Sequence, residues 1–173
     1  MKRLVLSLAQ GFGLGRIRVA PGTFGSVAGM LWFFLLASLP GALLFAAGAV
    51  FAISLSVWLT GDAERILQSK DPSSVVLDEI VAVPACFVSW MLIAWLPKGH
   101  WPGPDFFFGS ERWLATLGVF GAFRFFDILK PWPVRQVQSL PGGYGVVFDD
   151  LAAAAYVNLC VGVVYWVRPS WLI

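Results

Sequence analysis

Two acidic pairs each stand at the opening of a long apolar run, a pattern that few water-soluble folds tolerate. Asp78 and Glu79 lie in Val-Val-Leu-Asp-Glu-Ile-Val-Ala-Val (residues 75–83), which begins an apolar stretch reaching Leu96. A helix over those residues is about 30 Å long, close to the thickness of a bilayer core. The pattern returns at residues 146–153 as Val-Val-Phe-Asp-Asp-Leu-Ala-Ala, where Asp149 and Asp150 open a run ending near Val167. A charged side chain at such depth costs about 2.5–3.5 kcal/mol on insertion scales, so it usually marks function. The expected fold is all-α: a polytopic membrane helical bundle of about four to five spans plus a short amphipathic helix, in a single domain over residues 1–173.

Composition agrees with a membrane solvent. Hydrophobic residues make up 58% and charged residues 13% of the chain, the latter about half the share in soluble domains. The net charge of +2, with no Lys/Arg run, gives no footprint for nucleic acid. Cys86 and Cys160 fall inside apolar spans and read as small core residues. After Lys2-Arg3 the apolar stretch is too short for a signal peptide, and glycines follow it.

Along the chain, residues 1–23 are Gly-rich and basic, with Gly11, Gly13, Gly15, Arg16, Arg18 and Pro21-Gly22-Thr23. Two readings stand: a flexible interfacial arm meeting anionic headgroups, or a phosphate cradle of backbone N–H groups and arginines. Phe24–Leu39 is a first, weak span, short or re-entrant, and its Gly25 and Gly29 form a Gly-xxx-Gly face suited to close packing. Ala42–Leu59 is a second span, followed by a separate amphipathic surface helix over 61–70. Asp71-Pro72 is expected to cap the third span, and Pro84 to kink it just past the acidic pair. Phe106–Leu129 is a fourth span, interrupted near Glu111 and Arg112 and stopped by Pro131. Arg124 and Asp127, three apart, share one of its faces. The fifth span is Val146–Val167, where Asn158 is expected to hydrogen-bond between helices.

With five spans, nine Lys and Arg residues fall on one side and three (Lys98, Arg112 and Arg168) on the other. The positive-inside rule therefore makes the first side cytoplasmic. Tryptophans 95, 101, 113, 166 and 171 gather on the outer side as an aromatic belt. The same topology collects Asp78, Glu79, Asp127, Asp149 and Asp150 at the cytoplasmic face.

Carboxylates so close cannot all stay ionised without cations. A hard divalent ion, Mg²⁺ above all, suits oxygen ligands of this kind, and all five acids are candidate metal ligands and catalytic residues. Arg124, Lys130 and Arg135, with Arg16, Arg18 and Thr23, are candidates to bind a phosphate. Together these groups describe phosphoryl chemistry on a lipid headgroup. Other routes to phosphate cleavage are closed. There is no Cys-x₅-Arg loop, a single histidine (His100), no Asp-x-Asp nucleophile pair, and no Asp-Gly-x₂-Ala-Arg opening of a CDP-alcohol transferase.

The residues resemble bacterial phosphatidylglycerophosphatase A over nearly the whole chain. The resemblance rests on Gly11-Phe-Gly-Leu-Gly15, Pro21-Gly-Thr-Phe-Gly-Ser26, Asp78-Glu79, Phe123-Arg-Phe-Phe-Asp-Ile-Leu-Lys-Pro-Trp-Pro-Val-Arg135, Gly142-Gly-Tyr-Gly and Asp149-Asp150. It implies a Mg²⁺-dependent inner-membrane enzyme that hydrolyses phosphatidylglycerophosphate to phosphatidylglycerol and phosphate. The chain departs from the family pattern at Ala82-Val83, where a glycine is expected after the Asp-Glu pair. Two other classes compete: a transporter with an acidic vestibule, and a scaffold whose acids pair with Arg124 and Lys130. No span carries a charge near its middle, which speaks against the transporter, and five converging acids exceed the nearby cations, which speaks against the scaffold. Whether water or an aspartate attacks phosphorus stays open.

Overall fold

The computed structural model describes residues 2–173, and among them every regular element is helical. In chain order these are α1 (Lys2–Ala9), a 3₁₀ segment (Gly11–Arg16), α2 (Pro21–Ala37), α3 (Ala42–Leu67), α4 (Leu77–Cys86) and α5 (Val88–Lys98). They continue with α6 (Pro104–Phe108), α7 (Trp113–Leu129), α8 (Val134–Val137), α9 (Gly143–Val167) and a closing 3₁₀ turn (Pro169–Trp171). Three stretches are long and apolar enough to cross a membrane: α3, α4 with α5, and α9, of 26, 22 and 25 residues. The shorter α2 and α7, of 17 residues each, reach about 25 Å.

The outermost of the long helices is α3, with only 17% of its most apolar window buried. Leu43, Phe51 and Trp58 are exposed along it, as lipid-facing side chains would be. The interior lies between α2, α4, α5, α7 and α9. Its centre is aromatic: Phe33 stacks on Phe87 with ring centroids 3.9 Å apart, Trp90 stacks on the Phe87 ring in turn, and Phe107 packs edge-on against all three.

Helix α2 runs parallel to α4, and two glycines let it lie close. A Cβ on Gly25 would stand 2.9 Å from Val76 Cβ, and one on Gly29 would stand 2.7 Å from Val83 Cγ2. The expected Gly-xxx-Gly face is therefore a packing face, one helical turn per glycine. The glycine missing beside Val83 on α4 is supplied from the facing helix by Gly29.

Several local expectations are corrected. The segment 61–70 is not a separate amphipathic helix, because α3 continues unbroken to Leu67. The amphipathic helix is α1, and the Gly-rich arm is folded rather than flexible. Gln10 Nε2 donates to Ser74 Oγ at 3.1 Å, Arg16 Nε donates to Gln10 Oε1 at 2.9 Å, and Val76 N donates to Ala9 O at 3.0 Å. Asp71 does not cap the third span. That helix starts at Leu77, and Asp71 Oδ2 instead accepts from Gln138 Nε2 at 2.5 Å.

The break in the third span falls at Phe87, beyond Pro84. Asn158 on α9 closes it: its Oδ1 accepts from Ser89 N at 2.7 Å and its Nδ2 donates to Ala85 O at 2.8 Å. Those two backbone groups are an i, i+4 pair, so the amide occupies the place of one missing helical hydrogen bond. This is the interhelical role expected of Asn158. Lys130, in the left-handed conformation (φ 46°), ends α7 just before Pro131.

Candidate functional site

Every helix end that carries an acid of the predicted cluster meets at one end of the bundle. Helix α4 brings Asp78 and Glu79 in its first turn, where the positive end of the helix dipole favours carboxylates. Helix α9 brings Asp149 and Asp150 about two turns in, and α7 brings Arg124 and Asp127 in its last two turns. Asp78, Asp127, Asp149 and Asp150 are all buried.

The five acids are not equivalent. One carboxylate oxygen from each of Asp78, Glu79 and Asp150 lies within 4.8 Å of the others. Asp78 Oδ1, Glu79 Oε2 and Asp150 Oδ2 are buried with no hydrogen-bond partner in the protein. Buried carboxylate oxygens left without partners are costly, so the triad fits a hard cation held by oxygen ligands. The other two acids are already satisfied by basic groups. Asp127 Oδ2 accepts from Arg124 Nη1 at 2.6 Å. Asp149 Oδ2 accepts from Lys130 Nζ at 2.5 Å, and its Oδ1 accepts from the backbone N of Asp150 at 3.0 Å. Burial works to lower the Lys130 pKa, but the hydrogen bond and charge of Asp149, with Asp127 and Asp71 further off, outweigh it and hold it above the ordinary lysine value.

Arg124 binds the two groups of acids together. Its Nη1 stands 4.0 Å from Glu79 Oε1 and donates to Ser26 Oγ of α2 at 3.2 Å, while its Nε is buried without a partner. Gly22, at the start of α2, leaves room beside this group, because a Cβ there would collide with Glu79 Oε1. Gly22 and Ser26 belong to the Pro21–Ser26 block singled out in the sequence, but nothing there assigns either a contact with Arg124. Besides that block, Ser26 lies between Gly25 and Gly29 on the packing side of α2.

The remaining phosphate-binding candidates stand apart from this core. Arg16 is exposed and bonded to Gln10. Arg18 and Arg135 are exposed and form no hydrogen bond or ion pair among the described residues. Thr23 is half-buried in the first turn of α2.

The fold and site define a class: a helical membrane protein with a carboxylate triad and two basic side chains converging at one end of the bundle. The family model for phosphatidylglycerophosphatase A matches residues 7–165, and the chain belongs to that family. It is 35% identical over 161 residues to the phosphatidylglycerophosphatase A of Haemophilus influenzae, covering 92% of this chain and 88% of that one. It is 34% identical over 175 residues to a putative phosphatidylinositol-3-phosphatase of Bacteroides thetaiotaomicron, covering 96% and 99%. The phosphatidylglycerophosphatase A of Escherichia coli is 29% identical over 165 residues, covering 95% of this chain and 83% of its own. No solved structure matches the chain. Membership gives the enzyme class, a phosphoric monoester hydrolase acting on lipid, and leaves the transporter and scaffold readings without support.

Proposed function

We propose that the chain hydrolyses the terminal phosphate monoester of phosphatidylglycerophosphate, releasing phosphatidylglycerol and inorganic phosphate, with Mg²⁺ at the triad. The observation that carries this reading is the convergence of Asp78, Glu79 and Asp150 within 4.8 Å, each with a buried oxygen that has no partner, and with Glu79 Oε1 4.0 Å from Arg124 Nη1. A divalent cation bound there supplies charge neutralisation at the phosphoryl oxygens and activation of water. Arg124 binds the phosphate through guanidinium N–H groups that the protein leaves free. Lys130 fixes Asp149, and Asp149 in turn accepts from the Asp150 backbone, which steadies the neighbouring ligand from behind. In the overall step the P–O bond to glycerol breaks as a P–O bond to water forms, and one proton passes from the water to the leaving alkoxide.

The active end faces the cytoplasm in this proposal, and the membrane is the bacterial inner membrane. The support is the distribution of charge, with nine Lys and Arg residues towards the acid end and three towards the other. The experiment is phosphate release by purified protein from phosphatidylglycerophosphate, with phosphatidylinositol 3-phosphate run beside it because of the relative that bears that name. Release from the former that stops with EDTA and returns with Mg²⁺ is the expected result. Preference for the inositol lipid would overturn the substrate, and full turnover in chelator would overturn the metal.

A further inference from the structure

Arg124 is gripped from one side only. Nη1 donates both to Asp127 Oδ2 at 2.6 Å and to Ser26 Oγ at 3.2 Å. Nε is buried without a partner, and Nη2 makes no hydrogen bond among the described residues. In a guanidinium the Nε–H and one Nη2 N–H point the same way, and that edge takes two oxygens of an oxyanion in parallel. The protein thus occupies the Nη1 end and leaves the two-pronged edge without a partner of its own.

Of the two anchors, only Ser26 reaches Arg124 from another helix. Asp127 lies one turn away on α7 and moves with it, whereas Ser26 is fully buried on α2. The Ser26 hydroxyl hydrogen is engaged by Gly22 O at 2.9 Å, so the oxygen presents its lone pairs to Arg124. The absent side chain of Gly22 leaves room beside the guanidinium, since a Cβ there would lie 3.1 Å from Nη2 and 3.3 Å from Nη1.

We propose that Ser26 is a positioning residue for phosphate recognition: by holding Nη1 from α2, it sets the plane of Arg124 so that the Nε–Nη2 edge faces the substrate phosphate. This rests on the phosphatase reading above. A purely structural Ser26 would do no more than bond back to Gly22 O, a contact whose loss a helix tolerates, and would leave phosphate affinity unchanged.

The test compares wild type, Ser26→Ala, Arg124→Lys and the double variant. The readouts are kcat and KM for phosphate release from phosphatidylglycerophosphate, and the affinity for inorganic phosphate by calorimetry in Mg²⁺ buffer. Ser26→Ala is expected to weaken phosphate binding and raise KM about tenfold, the scale of a modest misplacement, with thermal unfolding unchanged. The same change made on Arg124→Lys is expected to add almost nothing, because no two-pronged edge remains to be aimed. Wild-type affinity in Ser26→Ala, or an equal loss in both backgrounds, overturns the proposal, as does the absence of any Arg124-dependent phosphate binding. Arg124-dependent phosphate binding without lipid hydrolysis overturns the hydrolase reading alone, and the affinity series then still decides the role of Ser26.

Discussion

Asp150 and Asp149 are neighbours in sequence with different surroundings, and single substitutions test the division of labour this implies. Asp150 Oδ2 has no partner in the protein, whereas both oxygens of Asp149 accept hydrogen bonds. Asp150→Asn keeps the shape and removes a charge from the triad. Activity should fall by about two to three decades, about 3–4 kcal/mol of transition-state stabilisation, with little loss of folded protein. Asp149→Asn leaves the Lys130 ammonium without its carboxylate, so thermal unfolding as well as activity should fall. Adding Lys130→Met should return stability but not turnover. Equal, purely catalytic effects of the two asparagine variants would contradict this division. The acids themselves were readable in the sequence because a carboxylate inside an apolar run is too costly to persist without a function. Which of them are satisfied was not readable, since that depends on how Lys130 at the end of α7 meets the second turn of α9.

At the scale of elements, the cleanest test is the junction of α4 and α5. Asn158→Leu removes both hydrogen bonds that bridge Ala85 and Ser89. Thermal unfolding in detergent should register a loss of about 1–2 kcal/mol, the usual cost of such groups between helices. No change would mean the helix closes its own gap. Gly29→Ala should also destabilise, because the new Cβ would lie 2.7 Å from Val83 Cγ2 and 3.0 Å from Ile80 O. Overpacking of this kind costs roughly 1–3 kcal/mol. The long apolar runs, the stop at Pro131 and the small-residue face of α2 were legible because each is a local or periodic signal. The folded arm was not: its anchors, Gln10 to Ser74 and Ala9 to Val76, link residues far apart in the chain and leave no mark on the local sequence. Ser26 was visible only as the end of the Pro21–Ser26 block, since its contact with Arg124 appears only once α2 lies parallel to α4 with Arg124 of α7 beside both.

For the whole molecule, three helical stretches long enough to cross a membrane pack with the shorter α2 and α7 so that all five acids share one end. Ser73→Cys and Ser139→Cys should react with an impermeant thiol reagent from the cytoplasmic side, and His100→Cys from the other, in protein lacking Cys86 and Cys160. Labelling of residues 73 and 139 from opposite sides would break the shared-face arrangement. The acids and bases of the site come from α4, α7 and α9, and the central claim is that they act as one metal-dependent centre. The most direct measurement is a Mg²⁺ titration of phosphate release from phosphatidylglycerophosphate by wild type and by Asp150→Asn. A shared centre predicts no release without metal, saturable activation in the wild type, and a weaker apparent Mg²⁺ affinity with slower turnover in the variant. An Asp150→Asn enzyme with the wild-type Mg²⁺ dependence and rate would contradict it.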